Sequence, residues 1–121
     1  MQVGKAIYSL ISAVEANVYP VSIPQGVKGN KVVYNIISNV PTNIKNRVSA
    51  VDQYRVQISC YTNKYNTVCT LAQSIRTALD NYSGTVAGVL IDRIRFENQM
   101  DTYDLQSDQY GIMTDYIIKI K

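Results

Sequence analysis

The 121-residue chain contains no histidine and no tryptophan, and only one phenylalanine and two cysteines. Without histidine, the chain cannot build a Ser-His-Asp or Cys-His nucleophile, a His-ligated metal site or an imidazole acid–base pair. Cys60 and Cys69 are too few for a metal framework or a disulfide scaffold, so we expect two thiols in a reducing compartment. These absences favour a protein that holds a partner over one that converts a substrate.

Long apolar runs are also missing. No segment approaches the roughly 20 apolar residues that cross a bilayer, and Ser9, Ser12 and Glu15 interrupt the first apolar stretch. We therefore expect no signal peptide, no membrane contact and synthesis in a cytoplasm. The net charge of +3 is too small to indicate a nucleic-acid binder. The length predicts a single domain over residues 1–121.

The spacing of apolar residues predicts two helices and several strands. The helices span about residues 1–16 and 63–80, the second with Asn63 as its N-cap. The predicted strands are 18–23 (an edge strand or extended arm containing Pro20), 31–38, 54–61, 89–96 with a bulge near Asp92-Arg93, and 112–120. The order α-β-β-β-α-β-β predicts an α+β fold, a four-stranded mainly antiparallel sheet with both helices packed on one face.

Two long connections, 39–51 and 97–110, have opposite charge. The first carries Lys45 and Arg47, and the second carries Glu97, Asp101, Asp104 and Asp108 with no Lys or Arg between them. The chain has seven basic and two acidic residues through residue 66, then five basic and seven acidic. This asymmetry suits copies that meet head to tail. The predicted subunit or partner contacts are Lys45, Arg47, Asp101, Tyr103, Asp104 and Asp108.

Other interpretations of these charges remain open. The acidic connection does not match the residue pattern of a calcium loop. It could be a solvated hairpin loop. Its carboxylates could also form a general acid–base pair, which would need a pocket and a shifted pKa. Arg93 and Arg95, with Arg55 nearby, could contact nucleic acid, but three arginines on a wet sheet face are common. The ten tyrosines suit half-buried sheet positions and a few interface anchors.

A series of short segments resembles one known family. It comprises Tyr19-Pro20, Ile23-Pro24-Gln25-Gly26, Val33-Tyr34, Arg55-Val56-Gln57-Ile58, Tyr61, Leu71-Ala72, Ile75-Arg76, Ala78-Leu79, Asp101-x-Tyr103-Asp104, Tyr110 and Asp115-Tyr116. The order and spacing of these segments resemble those of the siphophage tail completion (tail terminator, head-to-tail joining) proteins. The resemblance covers nearly the whole chain.

The resemblance implies a non-enzymatic virion protein that caps the tail tube and joins the tail to the head connector. It implies a ring of copies, usually a hexamer, through which DNA passes without sequence-specific binding. The implied partners are further copies of the chain, the major tail tube protein and a head completion or connector protein. No catalytic, cofactor or metal residues follow from it. The alternatives are a connector adaptor or tube subunit, and a free cytoplasmic α+β protein-binding module.

Overall fold

The computed structural model describes residues 2–15, 17–20, 30–44, 47–104 and 109–120, with the backbone alone at residues 2, 38–44, 47–52 and 104. The elements are α1 (Gln2–Ser12), β1 (Val18–Pro20), β2 (Lys31–Ile44), β3 (Arg47–Thr62), α2 (Tyr65–Leu79), β4 (Gly84–Val86), β5 (Val89–Asp104) and β6 (Gln109–Ile120). They form one six-stranded sheet in the order β1-β2-β3-β6-β5-β4. β1 is parallel to β2, and all other neighbours are antiparallel.

The structure is consistent with the predicted α+β class, but the prediction of a four-stranded mainly antiparallel sheet was wrong. The sheet has six strands and is mixed, because β1 joins its edge in parallel. The sequence order also lacked β4, whose three residues are too few to show a period. Gly88, at φ +78°, lies in the turn that follows β4 and folds it back onto β5. The predicted edge position is confirmed for Val18–Pro20, and residues 21–23 lie outside the described part.

The prediction that 39–51 and 97–110 are long connections was also wrong. Residues 39–44 continue β2 and residues 47–51 begin β3, while 97–104 continue β5 and 109–110 begin β6. The two connections are therefore the outer parts of two long β-hairpins. Alternation of apolar and polar residues reports a strand with one buried face. A hairpin that extends past the core can be polar on both faces, because hydrogen bonds between its two backbones keep the strands paired. Such a segment shows no alternation of apolar and polar residues.

The two helices contribute to a single apolar core with one face of the sheet. The largest fully buried side chains come from every large element: Ile7 and Ile11 of α1, Ile75 and Leu79 of α2, and Val32, Val56, Ile58, Ile91, Ile94, Ile112, Tyr116 and Ile118 of the sheet. Within the described chain, neither helix is long and apolar enough to span a membrane. The bulge predicted near Asp92-Arg93 is confirmed, because the β5–β6 register shifts between Ile91 and Arg93.

The helix ends differ from their predictions. α1 ends at Ser12, where the N–H groups of Val14 and Glu15 bond back to the carbonyl of Ile11. α2 begins at Tyr65 after Lys64, and no side chain caps it. Asn63 instead accepts a long 3.5 Å hydrogen bond from Gln109 Nε2, so it links α2 to the start of β6 and is not the N-cap.

Tyr116 lies at the centre of this core. Its side chain is fully buried, and its ring meets Phe96 edge-on at 6.1 Å between centroids. Its hydroxyl has no hydrogen-bond partner among the described residues. Burial raises the pKa of this phenol. A buried hydroxyl left without a partner among the described residues costs stability.

Candidate interaction surfaces at the ends of the sheet

Strand register places the two long hairpins at opposite ends of the sheet. β3 pairs with β6 from Asp52↔Ile120 to Thr62↔Tyr110. The β2–β3 hairpin therefore extends past the Ile120 end, and the β5–β6 hairpin turns at the Tyr110 end. Within one chain, the predicted basic and acidic hairpins cannot meet.

The structure describes only some of the predicted contact residues fully. Lys45 and Asp108 lie outside the described residues. Arg47 and Asp104 are described by their backbone, at the first position of β3 and the last of β5. Asp101 and Tyr103 are both exposed on β5, at the same end of the sheet.

Three tyrosines pack together at the turn end of the β5–β6 hairpin. Tyr110 of β6 contacts Tyr65 at 5.8 Å and Tyr103 at 4.9 Å between ring centroids. Tyr65 and Tyr103 remain 46% and 42% exposed. We call Tyr65, Tyr103 and Tyr110 the tyrosine cluster. Exposed tyrosines held rigidly by their neighbours are typical anchors of protein interfaces, because they present a large contact area with few rotamers to fix.

The tyrosine cluster is tied to a carboxylate. The Tyr65 hydroxyl donates a 2.8 Å hydrogen bond to Asp101 Oδ2. This bond, with a smaller contribution from Cys69, raises the pKa of Tyr65 to about 12. The resulting surface combines three phenols with one oriented carboxylate, and the half-buried Cys69 thiol lies beside Tyr65.

Glu97 and Asp101 of β5 have different partners and do not pair with each other. Glu97 lies in a bulge and contacts Arg95 at 3.5 Å, whereas Asp101 bonds to Tyr65. In the part of the chain that the structure describes, no three potential metal ligands of the Cys, Asp and Glu types come together. The geometry therefore favours a contact surface over a reactive site.

A second charged surface lies on the sheet face opposite the helices. Ile117 of β6 has Arg55 on one side and Arg95 on the other, and the next row pairs Lys119 with Arg93. Arg93, Arg95, Ile117 and Lys119 line a small pocket of about 50 Å³. We call Arg93, Arg95 and Lys119 the basic patch. The predicted grouping of Arg55, Arg93 and Arg95 on one face is confirmed.

Lys119 and the tyrosine cluster were not identified as a site from sequence. The position of Lys119 could have been predicted, because it follows the buried Ile118 in a strand and therefore lies on the helix-free face. No sequence signal brings Tyr65, Tyr103 and Tyr110 together, because they lie on three elements whose contact depends on tertiary packing.

An apolar groove of about 640 Å³ lies between α1 and the β1–β2 edge. Tyr8, Pro20, Tyr34 and Ile36 line much of it, and Lys5 is its charged residue. Tyr8 is 45% exposed there. Burial, and then the neighbouring Tyr8, raise the pKa of Tyr34. The groove can bind apolar surface.

Comparison with known proteins decides the family. Residues 5–121 match the family described as tail completion protein gp17. The chain belongs to this family. The sequence-based recognition of a tail completion protein is therefore confirmed, and the tail completion protein is a structural component of a bacteriophage tail. That family role also favours a non-enzymatic protein, as expected from the sequence.

Solved structures share the fold of the tail completion protein. It is similar to a chain from a structure described as the virion of a native gene transfer agent particle, with 15% sequence identity and a TM-score of 0.73. The match covers 98% of this chain and 96% of that chain. None of the curated proteins compared with the sequence matches it. At this identity, the likeness shows a common fold over the whole domain.

Proposed function

We propose that this tail completion protein caps the finished tail tube and joins the tail to the head connector as a closed ring, with six copies expected. The single observation that supports a ring is the placement of two oppositely charged hairpins at opposite ends of one sheet. A chain with complementary ends forms heterologous contacts, which generate a ring when the rotation closes.

The contact residues remain those proposed from sequence. Lys45 and Arg47 would lie on one side of the junction, and Asp101, Tyr103, Asp104 and Asp108 on the other. Family membership supports a place in the tail. The match to a chain of a gene transfer agent virion supports a place in the assembled particle. The partners would be the major tail tube protein and a head completion or connector protein, with DNA passing through the ring without sequence-specific contacts.

Gene disruption tests this function. A phage or prophage that lacks the protein should produce full heads and unattached, overlong tails when lysates are viewed by electron microscopy, because no ring stops the tube or presents a surface to the head. Wild-type protein supplied from a plasmid should restore joined particles. Joined particles with tails of normal length in the disrupted strain would contradict the proposal. Loss of the tube itself would indicate a tube subunit.

A further inference from the structure

The basic patch holds three positive charges, of which Arg95 has an ion-pair partner among the described residues, the exposed Glu97 at 3.5 Å. Arg93 and Lys119 lie directly opposite each other on neighbouring strands, an arrangement that is unfavourable in an isolated sheet. Arg93 donates a 3.0 Å hydrogen bond to the neutral Asn81 side chain. Among the described residues, the ion pairs are Arg55–Asp115, Arg76–Asp80 and Arg95–Glu97, so none includes Arg93 or Lys119.

The pocket within the basic patch limits what could bind there. Its volume is about 50 Å³, whereas one water takes about 30 Å³ of liquid and small-molecule pockets reach about 300 Å³ or more. A carboxylate side chain fits such a space, and a nucleotide or cofactor does not. Two arginines and a lysine around one apolar residue supply the donors that a carboxylate needs.

The same chain carries a carboxylate suited to this pocket, at the other end of the sheet. Asp101 is exposed, and the Tyr65 hydroxyl orients it beside the tyrosine cluster. A carboxylate has about four lone-pair sites, so Asp101 can accept further hydrogen bonds. Asp104, at the end of β5, belongs to the same hairpin.

Strand register excludes contact between the two surfaces of one copy. Asp101 pairs with Ile112 and Lys119 pairs with Arg93, so seven residues of β6, or about 24 Å, separate their rows. The two side chains also lie on opposite faces of the sheet, since Ile112 faces the helices and Lys119 does not. Contact between Asp101 and the basic patch therefore requires two molecules.

We propose that the basic patch of Arg93, Arg95 and Lys119 binds the acidic β5–β6 hairpin of a second copy, with Asp101 entering the pocket. This inference rests on the ring of the proposed function and adds a described contact surface to its basic side. The tyrosine cluster of one copy would then lie against the helix-free face of the next, around the charged contact.

Carbodiimide cross-linking of purified particles tests this contact, because the reagent joins a carboxylate to a lysine only when the two touch. Mass spectrometry should find an amide link between Asp101 and Lys119. The separation along β6 makes any such link intermolecular. The link should vanish in Asp101→Asn and persist in Tyr65→Phe. Its absence from particles in which the same reagent links tube subunits would overturn the inference.

A charge exchange provides a second measure. Lys119→Glu should lower the yield of joined particles by about tenfold or more, since it places like charges at every junction. Adding Asp101→Lys should restore most of that yield, and Ser74→Glu, at an exposed position of α2, should leave it unchanged. Joined Lys119→Glu particles that instead lose DNA would mean that the patch binds phosphate, and the inference would be wrong. Absence of the wild-type protein from particles would defeat the proposed function as well, whereas its presence without the link would defeat the contact alone.

Discussion

The Tyr65 hydroxyl and Asp101 Oδ2, 2.8 Å apart, connect the first turn of α2 to the β5–β6 hairpin. The two residues are separated by 36 positions in the chain. Tyr110 packs against Tyr65 from the other strand of the hairpin. The helix therefore fixes the position of the acidic hairpin, which is what a hairpin needs if it is to contact a neighbour without a large entropic cost.

Loss of the Asp101 charge should make Tyr65 more acidic. The carboxylate holds the pKa of Tyr65 at about 12, and Asp101→Asn should lower that pKa toward the ordinary value of 10.0 because an amide does not oppose phenolate formation electrostatically. Carbon NMR of labelled tyrosine measures the titration. Glu97→Gln is the matched control, since Glu97 contacts Arg95 instead. An unchanged Tyr65 titration in Asp101→Asn would show that the hydrogen bond does not set the pKa.

Removing the Tyr116 hydroxyl should leave the protein as stable as before or more stable by about 1 kcal/mol, since the hydroxyl is buried without a described partner. Urea unfolding of Tyr116→Phe measures the change. Tyr116→Ala is the contrasting variant and should lose about 3–5 kcal/mol, because it leaves a cavity in the core. A less stable Tyr116→Phe would mean that the hydroxyl has a partner after all.

Gly111 should not tolerate a side chain. A Cβ at this position of β6 would lie 2.8 Å from Thr102 Cγ2 and 2.8 Å from Tyr61 Cε1. Gly111→Ala should destabilise the fold by about 1–3 kcal/mol, and Thr102→Ser in the same chain should recover part of the loss by removing one clash. Gly4→Ala is the control: nothing lies within 4 Å of its Cβ position, and in the α1 helix alanine should add up to about 1 kcal/mol. Thermal unfolding that shows equal effects at both glycines would contradict this packing.

Stability should fall above pH 9 because of Cys60. Burial raises the pKa of the Cys60 thiol from 9.0 to about 12. The folded state therefore favours the protonated thiol, and this contribution is complete below pH 9 and is lost as the pH rises toward 12. For each proton that the folded state binds and the unfolded state has lost, the free energy of unfolding falls by about 1.4 kcal/mol per pH unit. Urea unfolding between pH 9 and 10 should show a shallower decline in Cys60→Ala; equal declines would show that Cys60 is not the cause.

Charge reversal at the other hairpin should impair assembly. Lys45→Glu with Arg47→Glu should reduce infectious particle yield, because the proposed basic side would then repel the acidic hairpin of its neighbour. Ser74→Glu, at an exposed position of α2, is the control. Plaque counts at wild-type level for the double variant would remove Lys45 and Arg47 from the proposed contact.

Sequence pattern predicted the elements that have one buried face. The alternation of Val56, Ile58 and Cys60 gave the inner part of β3, and the slip between Ile91 and Ile94 gave the bulge. The outer hairpin segments were missed because no buried face imposes a period on them. β4 was missed because three residues show no period, and its pairing with β5 depends on the turn at Gly88.

The site was less predictable than the fold. Charge separation along the sequence was visible, but the opposite placement of the two hairpins follows from the β3–β6 pairing, which joins residues about 60 positions apart. Asp101 could be named from sequence, whereas its Tyr65 partner could not. The role of Lys119 in the basic patch could not be predicted without knowing that β6 lies beside β5. That pairing places three cations around Ile117.

Cryo-electron microscopy of purified particles tests the central claim most directly. We expect a single ring of this tail completion protein at the head end of the tail tube. In that ring, the β5–β6 hairpin of each copy should lie against Arg93 and Lys119 of the next. Copies along the tube shaft or at the distal tip, or a particle without the protein, would contradict the account.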